Sequence, residues 1–198
     1  MLNVYYGHIQ LIENQSVFDA WLKKMNNQRR EKVLRCKNEK DKRRSLMAGI
    51  LLYLGLQNNR NEEQIFYSIS HSGDYAVCVL SDRKVGIDIE NKFRSVFSEG
   101  KESQLERIAK RCLTFGEEIH FETCENDEKT DLLLKYWTRK ESYSKAIGKG
   151  LGMDFKTIDT EQMAAFYWSD WLVKGYCCSL YVENGDFSDL GVQEIDTL

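Results

Sequence analysis

Hydrophobic positions along the chain fall into stretches of helical and strand period. Met1–Ile12 carries strand-like residues. Val17, Trp21 and Met25 recur at i, i+4 and i+8, which predicts a helix over Val17–Met25. Arg29–Tyr53 reads as a further helix, basic in its first part and apolar later. A strand-rich block follows. Gln64–Ser70 reads as a strand, His71-Ser72-Gly73-Asp74 as a turn, Tyr75–Leu80 as an apolar strand, Ser81–Arg83 as a tight turn and Lys84–Glu90 as another strand. Two adjacent antiparallel strands joined by a short hairpin are expected here. Beyond it, Leu105, Ile108, Ala109, Cys112 and Leu113 share one helical face over Glu102–Leu113. Thr130 or Asp131 caps a longer predicted helix that runs to Ile147 and stops at Gly148. Phe155–Ile158, Trp168–Val173 and Tyr176–Val182 read as strands. Helices mixed with mostly antiparallel strands define an α+β class.

Composition narrows the function more than the fold. With 198 residues, 42% of them hydrophobic, the chain can bury a real core. Its 28 basic and 31 acidic residues leave a formal charge of -3, so no global field draws it to nucleic acid or an anionic membrane. Met1–Gln10 lacks the basic and apolar regions of a signal peptide, and Ile50–Leu56 is too short to span a bilayer. The six cysteines form no C-x-x-C pair. A cytoplasmic protein with reduced, buried thiols is expected.

Local chemistry is concentrated in four segments. In Val85–Glu90, strand alternation puts Asp88 and Glu90 on one face and Ile87 and Ile89 in the core. Two like charges there suit a hard cation such as Mg2+, which takes one or two protein carboxylates and completes its shell with water and phosphate. A solvated strand edge would carry the same pair. Gly86 allows a ligand close approach to the backbone. On the later helix, Trp137, Glu141 and Lys145 share a face, so Glu141 offers a third oxygen ligand and Lys145 a phosphate contact; a surface ion pair is the plainer reading. Between Arg29 and Arg44, nine basic residues face three acidic ones, an excess suited to a polyphosphate ligand, to nucleic acid or to a solvated face. Ser70 and His71 close a strand in a polar turn able to hold phosphate or simply to bond itself. No G-x-x-x-x-G-K-[ST] loop and no G-x-S-x-G elbow is present.

In order along the chain, I-S-H-S-G, V-G-I-D-I-E and W-x-x-K-E-S-x-x-K-x-x-G-K-G-L resemble the motifs of 4'-phosphopantetheinyl transferases of the surfactin-synthetase-activating (Sfp) type. Upstream, R-R-E-K and K-D-K-R-R-S-L-M-A-G resemble that family's basic helices, so the similarity runs from Gln28 to Gly152. The resemblance implies two similar α+β halves related by a pseudo-twofold axis, residues 1–91 and 92–198, with coenzyme A bound between them. It implies transfer of phosphopantetheine from coenzyme A to a serine of an apo acyl or peptidyl carrier protein, by a cytoplasmic monomer that needs neither nucleic acid nor membrane. Asp88, Glu90 and Glu141 match the magnesium-binding acids. Lys145 matches the lysine on the coenzyme A phosphates, and Lys140 the lysine beside the metal acid. Arg29, Lys32 and Arg44 match phosphate-holding positions, Ser45 lies near the adenine, and Ser70 and His71 match the phosphate-contacting turn. Glu117 matches the proposed general base, with Glu118 beside it. One departure is that Asn58–Gln64 lacks the G-K-P segment that often precedes I-S-H-S. A non-catalytic coenzyme A or nucleotide-binding protein is the alternative, and a nucleic-acid-binding protein using the basic helix is a third reading.

Overall fold

A computed structural model of the chain describes residues 1–60, 64–93 and 102–198. Part of the Asn58–Gln64 segment, residues 61–63, therefore lies outside the described residues. In chain order the elements are β1 (Leu2–His8), α1 (Gln15–Lys24), α2 (Asn27–Leu34), α3 (Glu39–Asn58), β2 (Phe66–Ser72) and β3 (Tyr75–Ser81). They continue with β4 (Val85–Asn91), α4 (Glu102–Cys112), α5 (Phe115–Thr123), α6 (Lys129–Ala146), β5 (Tyr167–Val173), β6 (Tyr176–Val182) and β7 (Leu190–Ile195). The class is α+β, as expected. The chain divides into two compact units, Met1–Lys84 with Phe187–Leu198, and Val85–Asp186.

The first unit is a four-stranded sheet in the order β2-β3-β1-β7, with β1 antiparallel to β3 and parallel to β7. Its core gathers Trp21 from α1, Leu46, Met47, Ile50 and Leu51 from α3, and Cys78 and Leu80 from β3. The basic run forms two helices rather than one. Asn26 caps α2 by accepting from the Arg29 amide, and Asn38 caps α3 by accepting from the Asp41 amide. A side chain that satisfies the open amides of a new first turn restarts the helix there.

The second unit is a three-stranded antiparallel sheet in the order β4-β6-β5, with α6 packed on it. Leu113, Phe121, Leu133, Leu134, Tyr136 and Ile158 form its core. The short hairpin of the strand-rich block joins β2 and β3, where Gly73 takes φ 55 in the turn. Ser81–Arg83 does not fold the chain back onto the same sheet; β3 pairs with β1 and β2, whereas β4 pairs with β6. Val85–Asn91 thus belongs to the second unit instead of ending the first, and Phe187–Leu198 returns to the first. Phe155–Thr157 is a 3-10 turn opened by Asp154, whose side chain accepts from the Lys156 amide, and not a strand. No helix among the described residues is long and apolar enough to cross a membrane, and all six cysteines are free thiols.

Candidate functional site

In the second unit, α6 lies directly on β4. A Cβ built on Gly86 would stand 1.9 Å from the Ser142 carbonyl oxygen and 2.7 Å from the Ala146 amide nitrogen. Glycine at this position therefore makes room for the helix backbone itself, not for a ligand. The close approach brings the Asp88 face of the strand against the Glu141 and Lys145 face of the helix. Ile87 and Ile89 are buried, as strand alternation requires.

Lys145 Nζ donates to Asp88 Oδ1 at 2.6 Å and to the Ile87 carbonyl at 3.0 Å. Asp88 is buried, and the Lys145 side chain keeps 27% of its surface exposed. Glu141 is buried beside them. Burial, and then the negative charge of Asp88, push its carboxyl up to about 7; Lys145 opposes this and Glu90 adds to it. Asp88 and Glu90 are therefore close enough for Glu141 to feel their charge. Among the described residues no three His, Cys, Asp or Glu side chains stand in a ligating arrangement. That result agrees with Asp88 being turned to an ammonium. The donor set still fits a hard divalent cation, because all three groups are carboxylates and Glu141 is destabilised as an anion by burial first and then by the charges of Asp88 and Glu90.

Lys140 and Glu117 take a different place. Lys140 is 0% exposed and Glu117 1% exposed, with Lys140 Nζ 2.5 Å from Glu117 Oε2. The ammonium also donates to the carbonyls of Cys112, Phe155 and Ile158 at 2.7, 2.9 and 2.8 Å. Glu117 Oε2 accepts from the Thr114 amide at 2.9 Å, within the capping box that starts α5. Glu117 Oε1 accepts from the Thr160 amide at 2.9 Å and the Thr160 hydroxyl at 2.7 Å. Both carboxylate oxygens are thus engaged inside the core. Glu118, the neighbouring candidate, is half-buried on α5. Thr160 was not legible in the sequence; it lies 43 residues from its partner and belongs to no motif.

In the first unit, Arg29 and Lys32 line a cavity of about 350 Å³ together with Met25, Gly49, Tyr53 and Tyr67. Gly49 leaves space for the stem of Arg29, whose Cδ and Cγ would sit 3.1 Å from an added Cβ. Burial lowers the Arg29 guanidinium from its ordinary value, with Tyr67 and Cys78 opposing. Arg44 and Ser45 start the apolar part of α3, where Arg44 pairs with Asp41 and the buried Ser45 hydroxyl has no hydrogen-bond partner among the described residues. Ser70 and His71 belong to β2 itself, opposite Val77 and Ala76 of β3, rather than to the turn. Arg44, Ser45, Ser70 and His71 do not line the Arg29–Lys32 cavity.

Comparison with known proteins adds an independent line. The model of the 4'-phosphopantetheinyl transferase superfamily matches residues 84–185, the stretch that contains the Asp88, Glu141 and Lys145 cluster. The chain is 28% identical to the 4'-phosphopantetheinyl transferase gsp of Aneurinibacillus migulanus, over 93% of this chain and 90% of that protein. It is 28% identical to the 4'-phosphopantetheinyl transferase Sfp of Bacillus subtilis, over 77% and 73%. It is 39% identical to the L-aminoadipate-semialdehyde dehydrogenase-phosphopantetheinyl transferase of Mus musculus, over 47% of this chain and 30% of that protein.

Proposed function

The chain belongs to the 4'-phosphopantetheinyl transferase superfamily, and on that premise we propose that it moves the phosphopantetheine arm of coenzyme A onto a serine of an apo acyl or peptidyl carrier protein, with Mg2+. The observation that carries this reading is the Lys145–Asp88 contact beside Glu141, within the matched stretch. The serine oxygen bonds to the β-phosphorus of coenzyme A, the serine proton passes to water, the bond to the bridging oxygen breaks, and 3',5'-ADP leaves. Such transfers depend mostly on positioning and charge neutralisation. Asp88, Glu90 and Glu141 would hold Mg2+, which when bound supplies positive charge to the pyrophosphate oxygens. Lys145, exchanging Asp88 for a phosphate oxygen, adds a second positive contact. Arg29, Lys32, Arg44, Ser45, Ser70 and His71 bind the nucleotide end. Because the nucleophile sits on the carrier, the chain itself needs no activated serine or cysteine. The same reading makes the protein a cytoplasmic monomer.

The test is incubation of the protein with coenzyme A, Mg2+ and a panel of apo carrier proteins, weighed by intact mass spectrometry. A gain of one phosphopantetheine that disappears with EDTA is expected. Coenzyme A binding with no gain on any carrier would replace this reading with that of a non-catalytic coenzyme A-binding protein.

A further inference from the structure

We infer that Glu117, Lys140 and Thr160 form a buried latch that fixes the setting of α6 and so positions Glu141, and that Glu117 is not the general base. This rests on the transferase reading above. Lys140 and Glu141 are consecutive on α6, so their side chains leave the helix about 100° apart. Glu141 faces the Asp88 side. Lys140 reaches the other way, into the carbonyls at the end of α4 and around the Phe155–Thr157 turn, and into Glu117 on α5. The ammonium has three protons and four acceptors, all within 2.9 Å. Its charge is neutralised by a carboxylate whose remaining capacity is filled by Thr114 and Thr160. On the opposite side, Gly86 presses against the Ser142 carbonyl with no space for a methyl group. The helix is therefore held from both sides next to its functional carboxylate, so it can neither roll nor slide without breaking buried polar contacts.

A general base must come within hydrogen-bond reach of the proton it removes, directly or through one water. Glu117 has no water-facing oxygen and no uncommitted one. Thr160, outside every motif in the sequence, becomes a positioning residue because its amide and hydroxyl orient Glu117 toward Lys140.

The latch is tested with Glu117→Gln, Thr160→Val and the conservative Thr160→Ser, each assayed at a temperature where circular dichroism shows it folded. Binding of Mn2+, as a paramagnetic stand-in for Mg2+, is followed by electron paramagnetic resonance, alongside kcat, the coenzyme A KM and the pH profile of kcat. Removing a direct hydrogen-bond partner of a metal ligand typically weakens metal binding about 10–100-fold, and the latch, which acts on Glu141 only through the helix backbone, sets that range as an upper bound. We expect a loss within that bound for Glu117→Gln and Thr160→Val, with kcat falling in parallel, coenzyme A KM nearly unchanged and the acidic limb of the pH profile retained. Thr160→Ser should return Mn2+ affinity to the wild-type level. Two results would overturn the latch. In the first, Glu117→Gln keeps Mn2+ affinity but loses roughly 10²–10⁴-fold in kcat together with the acidic limb, which is the signature of a base. In the second, the folded variants match wild type in both affinity and rate, which leaves the trio a role in stability alone. If wild type modifies no carrier, the transferase reading fails, and Mn2+ affinity still decides the latch.

Discussion

Lys140 and Lys145 sit five residues apart on the same helix, and each meets a carboxylate at salt-bridge distance, 2.5 Å for Lys140–Glu117 and 2.6 Å for Lys145–Asp88. The similarity ends there. Lys140 is wholly enclosed and has more acceptors than protons, whereas Lys145 has two acceptors and keeps about a quarter of its side chain in solvent. A buried pair broken on one side leaves an uncompensated charge in a low-dielectric core. An accessible pair exchanges one partner for water or phosphate at little cost. One residue type thus yields a fixed anchor or an exchangeable contact, and the number of acceptors and the access of water decide which.

The sharpest way to break this comparison is to remove each ammonium in turn. Lys140→Met should lower folding stability by about 3–5 kcal/mol, since it strands Glu117 in the core. Lys145→Met should cost less, about 1–3 kcal/mol, because water reaches the lysine side of the pair although Asp88 is itself buried, yet abolish most carrier modification if the lysine holds phosphate. Urea unfolding of both variants decides it, and equal losses would show that exposure does not separate the two pairs. A smaller effect is expected where both pairs depend on one wall. Gly86→Ala forces a methyl into the Ser142 carbonyl, and overpacking of this kind costs about 1–3 kcal/mol or somewhat more. The added methyl meets backbone rather than a flexible side chain, so β4 and α6 must separate. Activity should then fall along with stability. A Gly86→Ala protein with wild-type melting and wild-type rate would mean that the close approach is not what sets the site.

Much of the open site was legible from periodicity. Strand alternation assigned Ile87 and Ile89 to the core and Asp88 and Glu90 to the shared face. Helical spacing put Glu141 and Lys145 on one stripe, and the structure brings Lys145 onto Asp88. These are local rules that need only the chain's own repeat. The enclosed site was illegible for the opposite reason. Thr160 meets Glu117, and Lys140 meets the Cys112, Phe155 and Ile158 carbonyls, through tertiary folding of segments with no common period. Strand pairing failed in the same way: β3 and β4 are both apolar and follow one another, yet they join different sheets because pairing is settled by partners far along the chain. Asn26 and Asn38, by contrast, are local signals for two separate helices, hidden by the continuous basic run between them.

A last effect separates the two sites by pH. Without metal, burial and the Asp88 charge raise the Glu141 carboxyl from an ordinary 4.5 to about 7. Between those values the folded protein holds a proton at this position that the unfolded chain has released. Stability from this group is therefore full below about pH 4.5 and is lost as pH rises through about 7. One pKa unit corresponds to about 1.4 kcal/mol, so the loss is on the order of 2 kcal/mol once residual solvent access is allowed for. In EDTA, the stability of wild type relative to Glu141→Gln should decline across that window. Added Mg2+ should reverse the decline, stabilising wild type more at pH 8 than at pH 5.5, because a cation replaces the proton among the three carboxylates. A wild-type-minus-variant difference that stays flat with pH would show that Glu141 does not share the field of Asp88 and Glu90, and would take the third ligand away from the proposed metal site.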